Sequence, residues 1–269
     1  MVGAWRRPRL LFMFNDVLVG VDGRLGGRDA IALARLLAAP GSSLTFAHVY
    51  DGPVGGGLHR LAEQRKSDLL VVGSCHRGML GRAFLGDARR ALNGAPCAVA
   101  IAPNGYSSST TRLSRIGVGC GRSAESSEAL HAAHALAARH GATIKALTVV
   151  SVQDIPYGEP IPEQWPKIAG QLVVDELHRL DDLQGVEGDA TYGDPGEELA
   201  AFSAGLDLLI VGSRSYGPLD RLFNGSTSNY LERHSRCPLL VLPRSARPSH
   251  EPSEGENAHT TAESVPGER

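Results

Sequence analysis

Along the chain, short apolar runs alternate with longer segments in which Ala and Leu recur at helical spacing. Residues 16–22 read Asp-Val-Leu-Val-Gly-Val-Asp, residues 30–39 follow as a helix-like stretch, and residues 44–49 return to an extended apolar pattern. The same order recurs as a strand at 115–120, a helix at 126–140 and a strand at 143–149. Parallel neighbours need a connection long enough to return to the same edge of the sheet, and an intervening helix supplies it. The apolar runs 69–72 and 208–211, each preceded by Asp and followed by Gly-Ser, suit strands buried on both faces. The pattern predicts two α/β units, each built on a parallel sheet.

The units are unequal. Between its first strand and its Gly-Ser pair the second is about 40 positions longer, and most of the surplus is a helix-like stretch, 163–182, followed by a strand-like one, 186–192. The first unit offers only 51–57 there, mostly glycine. It is therefore expected to lack one helix-strand unit, which is tolerable when the lost strand lies at a sheet edge. The expected boundaries are a reduced first domain at 13–104, a linker at 105–111, a full second domain at 112–243 and a tail at 244–269. The linker is small, polar and aperiodic, and the tail, rich in Ser, Pro, Glu and Gly, reads as disordered.

Composition narrows the function. Lys and Arg number 27 against 29 Asp and Glu, a formal charge of −2, so there is no basic surplus for a nucleic-acid backbone. No apolar run approaches the roughly 18 residues of a membrane span. The apolar stretch at 10–14 follows basic residues but is too short for an export signal, and four cysteines without metal-ligand spacing fit a reducing compartment. The expected location is the cytoplasm.

The candidate chemistry lies in two glycine-containing loops. After the run 208–211 the second unit reads Gly212-Ser213-Arg-Ser215, continues to Gly225-Ser226-Thr227-Ser228, and then enters a helix-like stretch. A strand, a loop with glycines and a helix opened by Ser and Thr offer unpaired amides and hydroxyls to a phosphate. Taken alone, the same residues also read as an ordinary helix cap.

Both copies resemble the universal stress protein family, which has a flavodoxin-like fold of the adenine nucleotide alpha hydrolase type. Its nucleotide-binding members carry Gly-x2-Gly-x9-Gly-[Ser/Thr]. In the second copy Gly212, Ser215, Gly225 and Ser226 fall on these positions, with Ser215 in place of a glycine. In the first they are Gly73, His76, Gly86 and Asp87, where Asp87 puts a carboxylate in the way of a phosphate. The resemblance further implies that Asp22 lies beside the nucleotide in the first copy, with Cys120 at that position in the second. It also implies that Val149, and Val49 in the first copy, line the adenine pocket. The implied ligand is ATP, with or without Mg²⁺, held by Gly212, Ser213, Gly225, Ser226 and Thr227, and the implied role is regulatory, in a stress response. In the family the last strands pair at interfaces, so 97–102 and 239–242 are expected to join the two copies as an internal pseudo-dimer, alongside a homodimer.

No catalytic constellation is predicted. Ser74 and Ser213 each follow Gly but lack the Gly-x-Ser-x-Gly elbow, and His131 and His134 lack the Glu or Cys partners of a metal site. Slow hydrolysis of bound ATP stays open. The alternative is a nucleotide-free dimerising module of the same fold whose loops have become helix caps.

Overall fold

The computed structural model describes residues 14–22, 25–50, 54–74, 95–108, 112–152, 161–213 and 226–243. Nine strands form one sheet: β1 (Phe14–Gly20), β2 (Ala38–Ala47), β3 (Leu69–Gly73), β4 (Ala98–Ala102), β5 (Arg115–Cys120), β6 (Thr143–Val150), β7 (Val186–Tyr192), β8 (Leu208–Gly212) and β9 (Leu239–Leu242). Their order is β2-β1-β3-β4-β9-β8-β5-β6-β7. Every pairing is parallel except β4 with β9. The described helices are α1 (Leu25–Leu37), α2 (Val54–Arg65), α3 (Ala124–His140), α4 (Trp165–Asp181), α5 (Pro195–Phe202) and α6 (Ser226–His234). One apolar layer gathers Leu33 of α1, Leu136 of α3 and Leu180 of α4, and the other gathers Leu58 of α2, Leu199 of α5 and Leu231 of α6. The sheet is thus covered on both faces, which is why β3 and β8 carry apolar residues without alternation.

The extra unit of the second half is α4 followed by β7, with β7 at the sheet edge as the edge argument requires. The first half has four strands among the described residues, and β2 forms its edge. The sequence reading differs from the structure at two places there. Helix α1 starts earlier and ends at Leu37, so that the chain enters β2 directly at Ala38, where Ala38 and Ala39 are buried. In the stretch 51–57, where the sequence offers mostly glycine and predicts no helix, Val54 to Gly57 form the first turn of α2. Gly55 is buried and a Cβ on Gly57 would stand 3.0 Å from Val49 Cγ2, so the glycines let the helix lie close, and the packing of Leu58 and Ala62 outweighs their poor helix propensity.

The Asp-Leu-Leu-x-Val-Gly-Ser block shared by the two halves has the same structural use in each. At its start, Asp68 accepts the amides of Asn15 (2.7 Å) and Asp16 (3.2 Å), and Asp207 accepts those of Ser114 and Arg115 (2.8 Å each). Each carboxylate ties β3 or β8 to the beginning of its central neighbour. At the block's end, a Cβ on Gly73 would fall 2.2 Å from the Gly26 carbonyl oxygen, and one on Gly212 would fall 2.6 Å from Glu125 Cβ. Both glycines let the first turn of the helix that leaves the neighbouring central strand, α1 after β1 or α3 after β5, rest on the strand end.

The halves meet through more than the β4–β9 pair. The Arg139 guanidinium donates to the Ala38 carbonyl, and His140 Nε2 lies 3.2 Å from the Leu36 carbonyl, so the end of α3 satisfies carbonyls that the end of α1 leaves open. The connecting segment is docked. Buried Asp29 of α1 accepts from the amides of Gly105 and Ser107 and from the Ser107 hydroxyl at 2.6–2.8 Å. This holds a single 3-10 turn, Tyr106–Ser108, where composition alone suggests a loose linker.

A polar cluster anchors α4. Buried Glu176 accepts from Arg122, in the loop after β5, and from Arg179 at 2.7 Å, while Arg179 also donates to Thr148 of β6 at 3.2 Å. Burial alone raises the Glu176 pKa, but the hydrogen bonds from the two guanidinium groups outweigh it, and the net position is below the ordinary carboxylate value. A carboxyl with a lowered folded pKa contributes stability above its unfolded pKa and loses it as pH falls through the folded one. Glu176→Gln is therefore expected to cost about 1 to 3 kcal/mol at pH 7, with the gap to the parent chain closing as pH drops below about 4. Urea unfolding across that range checks it, and a pH-independent cost contradicts it. In the same assay Gly73→Ala and Gly212→Ala should each cost about 2 to 3 kcal/mol by overpacking. Gly170→Ala, on α4 with open space around its Cβ position, should instead stabilise by about 0.5 to 1 kcal/mol.

Candidate functional site

In an open parallel sheet, ligands favour the crevice beyond the carboxyl ends of the strands where the direction of winding reverses. In the second half that point lies between β5 and β8: the chain leaves β5 for α3 on one face and later leaves β8 toward α6 on the other. In the first half it lies between β1 and β3.

The expected residues fare differently at these two points. Gly212 ends β8 and Gly73 ends β3, but the closeness of Glu125 and Gly26 explains both without a ligand. The amide of Ser213 donates to Leu242 at 2.9 Å and that of Ser74 to Ala102 at 2.7 Å, so each extends its ladder by one bond. The Ser213 side chain is buried. Asp22 is exposed at the first switch point, and its Oδ1 accepts the Gly27 amide at 3.1 Å, which makes it a stabiliser of the α1 start. Val149 is half-buried against the layer of Leu147 and Leu199. Since Gly20 pairs with Ala47 and Gly119 with Leu147, Val49 and Val149 hold equivalent places, as the resemblance implies. Ser226 opens α6, and Thr227, half-buried, follows in its first turn. Gly86, Ser215 and Gly225, together with His76 and Asp87, lie outside the described residues.

The strand register corrects one equivalence. Val19 pairs with Val71 and Val118 with Ile210, and counting from the paired Asp68 and Asp207 makes Val21 the partner of Cys120 and Asp22 that of Gly121. Cys120, the last residue of β5, therefore sits one place before the equivalent of Asp22. Burial pushes its thiol up to about 11, so it is protonated at neutral pH and packs as a small apolar group. Asp22 has no acidic equivalent in the second half, where Gly121 donates its amide to the Ser126 hydroxyl at 2.9 Å.

Helix starts in the second half differ in a way that sequence reading does not reveal. The N-terminus of α3 is capped by Ser123, and its first turn carries buried Glu125. That of α5 is occupied by Asp194, whose carboxylate accepts from Gly196 and Glu197 at 2.8 and 3.1 Å. The first turn of α6 has no acidic residue and carries Ser226, Thr227 and Ser228. That start suits an anion: amides at the positive end of a helix and no carboxylate in the first turn to repel one. Asp194 was the signal available for α5, since Asp followed by Pro marks a helix start. The role of Ser126 had none, because its partner Gly121 is fixed by the fold.

Among the described residues, no group of three or more His, Cys, Asp and Glu side chains is placed to hold a metal ion. No described helix is long and apolar enough to cross a membrane.

Comparison with known proteins follows the same two-part division. The model of the universal stress protein family matches residues 47–103 and 113–243. A universal stress protein of Mycobacterium tuberculosis is 28% identical over 232 residues, covering 80% of this chain and 77% of the relative, and one of Mycobacterium bovis matches to the same extent. Among solved structures, a universal stress protein from Archaeoglobus fulgidus covers 88% of this chain and 98% of its own, with a TM-score of 0.58 at 15% identity. A functionally unknown protein from Pseudomonas aeruginosa covers 88% and 95%, with a TM-score of 0.60 at 11% identity. At such identities the structural likeness speaks for the fold. With family matches to both halves, over well beyond half its length, the chain belongs to the universal stress protein family.

Proposed function

We propose that the second half binds an adenine nucleotide, ATP, at the switch point between β5 and β8, and that the chain acts as a regulatory binding protein of the cytoplasm in a stress response. The feature that supports this is the start of α6, the helix that follows β8 in the chain, which has no acidic residue in its first turn. ATP brings the negative charge that such a helix end stabilises, and Mg²⁺ would accompany the phosphates. Thr227 and Ser226 hold the phosphate chain, and Val149 borders the adenine. The first half is the weaker site, because Asp22 already fills the helix end at its switch point.

The described thiols supply no nucleophile. Burial pushes Cys97 and Cys237 up to about 12 and Cys120 up to about 11, leaving none of the three ionised as a nucleophile near pH 7. A second reading, a nucleotide-free module of the same fold, is favoured by one specific observation: Gly73, Gly212 and the Ser74 and Ser213 amides are all accounted for by packing and ladder bonds.

Titration calorimetry with Mg·ATP separates the readings. The full chain is expected to bind, and Ser226→Asp, which places a carboxylate at the helix end, should raise Kd at least about tenfold without loss of fold. A chain that shows no heat with ATP, and that releases no adenine absorbance when denatured, supports the nucleotide-free module. Unchanged affinity in Ser226→Asp would move the phosphates away from α6.

A further inference from the structure

The absent helix-strand unit leaves a specific surface. In the second half, β6 is paired along its outer edge with β7, and Ala146 on the α4 side of the sheet is fully buried. The register makes Phe46 of β2 the equivalent of Ala146, and Phe46 is 50% exposed. Tyr50, four positions on, is 92% exposed and makes an edge contact with His48 at 4.5 Å between ring centroids. Among the described residues no strand pairs with the outer edge of β2.

The two edges of the sheet carry different charge. Strand β7 bears Glu187 and Asp189, both exposed, and two copies of it side by side would repel. Charges on an edge strand are a common protection against pairing. Strand β2 carries no charged residue along its length; Pro40 and the shift in register before Ser43 interrupt its first part, so the regular unprotected edge is residues 43–47. The Val21 amide donates to the Ala47 carbonyl at 2.8 Å, so the backbone groups of Ala47 face β1 and, by alternation, those of Leu44 and Phe46 face outward.

The geometry points to a second copy of this chain as the occupant: two β2 strands pair antiparallel across a two-fold axis at Thr45 and continue the sheet from one chain into the next. In that register Leu44 lies opposite Phe46 of the other copy, twice, as hydrogen-bonded pairs. The two Thr45 residues face each other as a non-hydrogen-bonded pair, with Cα atoms about 4.5 Å apart. The pairing brings no like charges of β2 together. It does not involve the β5–β8 switch point and is independent of nucleotide binding.

Sedimentation velocity of the full chain over a range of concentrations tests it, together with two substitutions. A dimer is expected, and Phe46→Lys should raise its dissociation constant at least about tenfold while circular dichroism stays that of the parent. In a Cys75→Ser background, Thr45→Cys should cross-link into a covalent dimer on mild oxidation, since the Cα separation lies within disulfide range. Glu187→Cys on the opposite edge should not. A monomer overturns the proposal, whether its β2 amides exchange fast with solvent or slowly because another segment of the chain covers them. A dimer that ignores Phe46→Lys, or that cross-links through Glu187→Cys instead, overturns it as well.

Discussion

The antiparallel contact between β4 and β9 is the constraint on which the rest of the molecule depends. Each strand ends a parallel half-sheet and each is buried throughout, Ala98–Ala102 on one side and Leu239–Leu242 on the other. An apolar strand with bare amides along one side is not tolerable in water, and joining the two satisfies both edges at once. Once they are joined, the crossover helices of the two halves lie on common faces, which brings Arg139 and His140 to the end of α1 and lets Asp29 hold the connecting turn. The halves are therefore one folded body with an internal repeat.

Within that body the repeat separates scaffold from chemistry. The shared Asp and Gly of the Asp-Leu-Leu block recur because each half must tie down its central strand and bring a helix across a strand end. What differs is what stands at each helix start: Asp22 in the first half, Ser123 and Asp194 in the second, and no acidic residue in the first turn of α6. With a formal charge of −2 over the whole chain, anion recognition has to be local, through backbone dipoles and not through a basic surface.

Much of the fold was legible in the pattern of residues because the strands are buried on both faces and the long helices are amphipathic. The runs at 115–120 and 186–192 match β5 and β7 end for end, and α4 lies within the stretch expected for it. Legibility failed where tertiary contact overrides local preference. The glycines before Leu58 form the opening turn of a helix, with Gly57 set against Val49, and the turn at 106–108 is pinned by an aspartate 76 to 78 positions before its partners. The site was readable only as positions, not as roles. Gly212 stands where phosphate recognition would put it, yet Glu125 alone accounts for its lack of a side chain. The off-by-one place of Cys120 follows from a ladder register that the copies do not display in one dimension.

The chain order of the central pair also governs biosynthesis. Strand β4 ends at Ala102 and its partner β9 spans Leu239–Leu242, so the first half leaves the ribosome with an apolar edge that has nothing to pair with until the second half is nearly complete. At roughly 5 to 20 residues per second, that interval lasts on the order of 10 to 30 s. Throughout it the nascent first half is a ready template for any passing strand, and the second half, whose five strands can assemble among themselves, completes the molecule by closing that edge last.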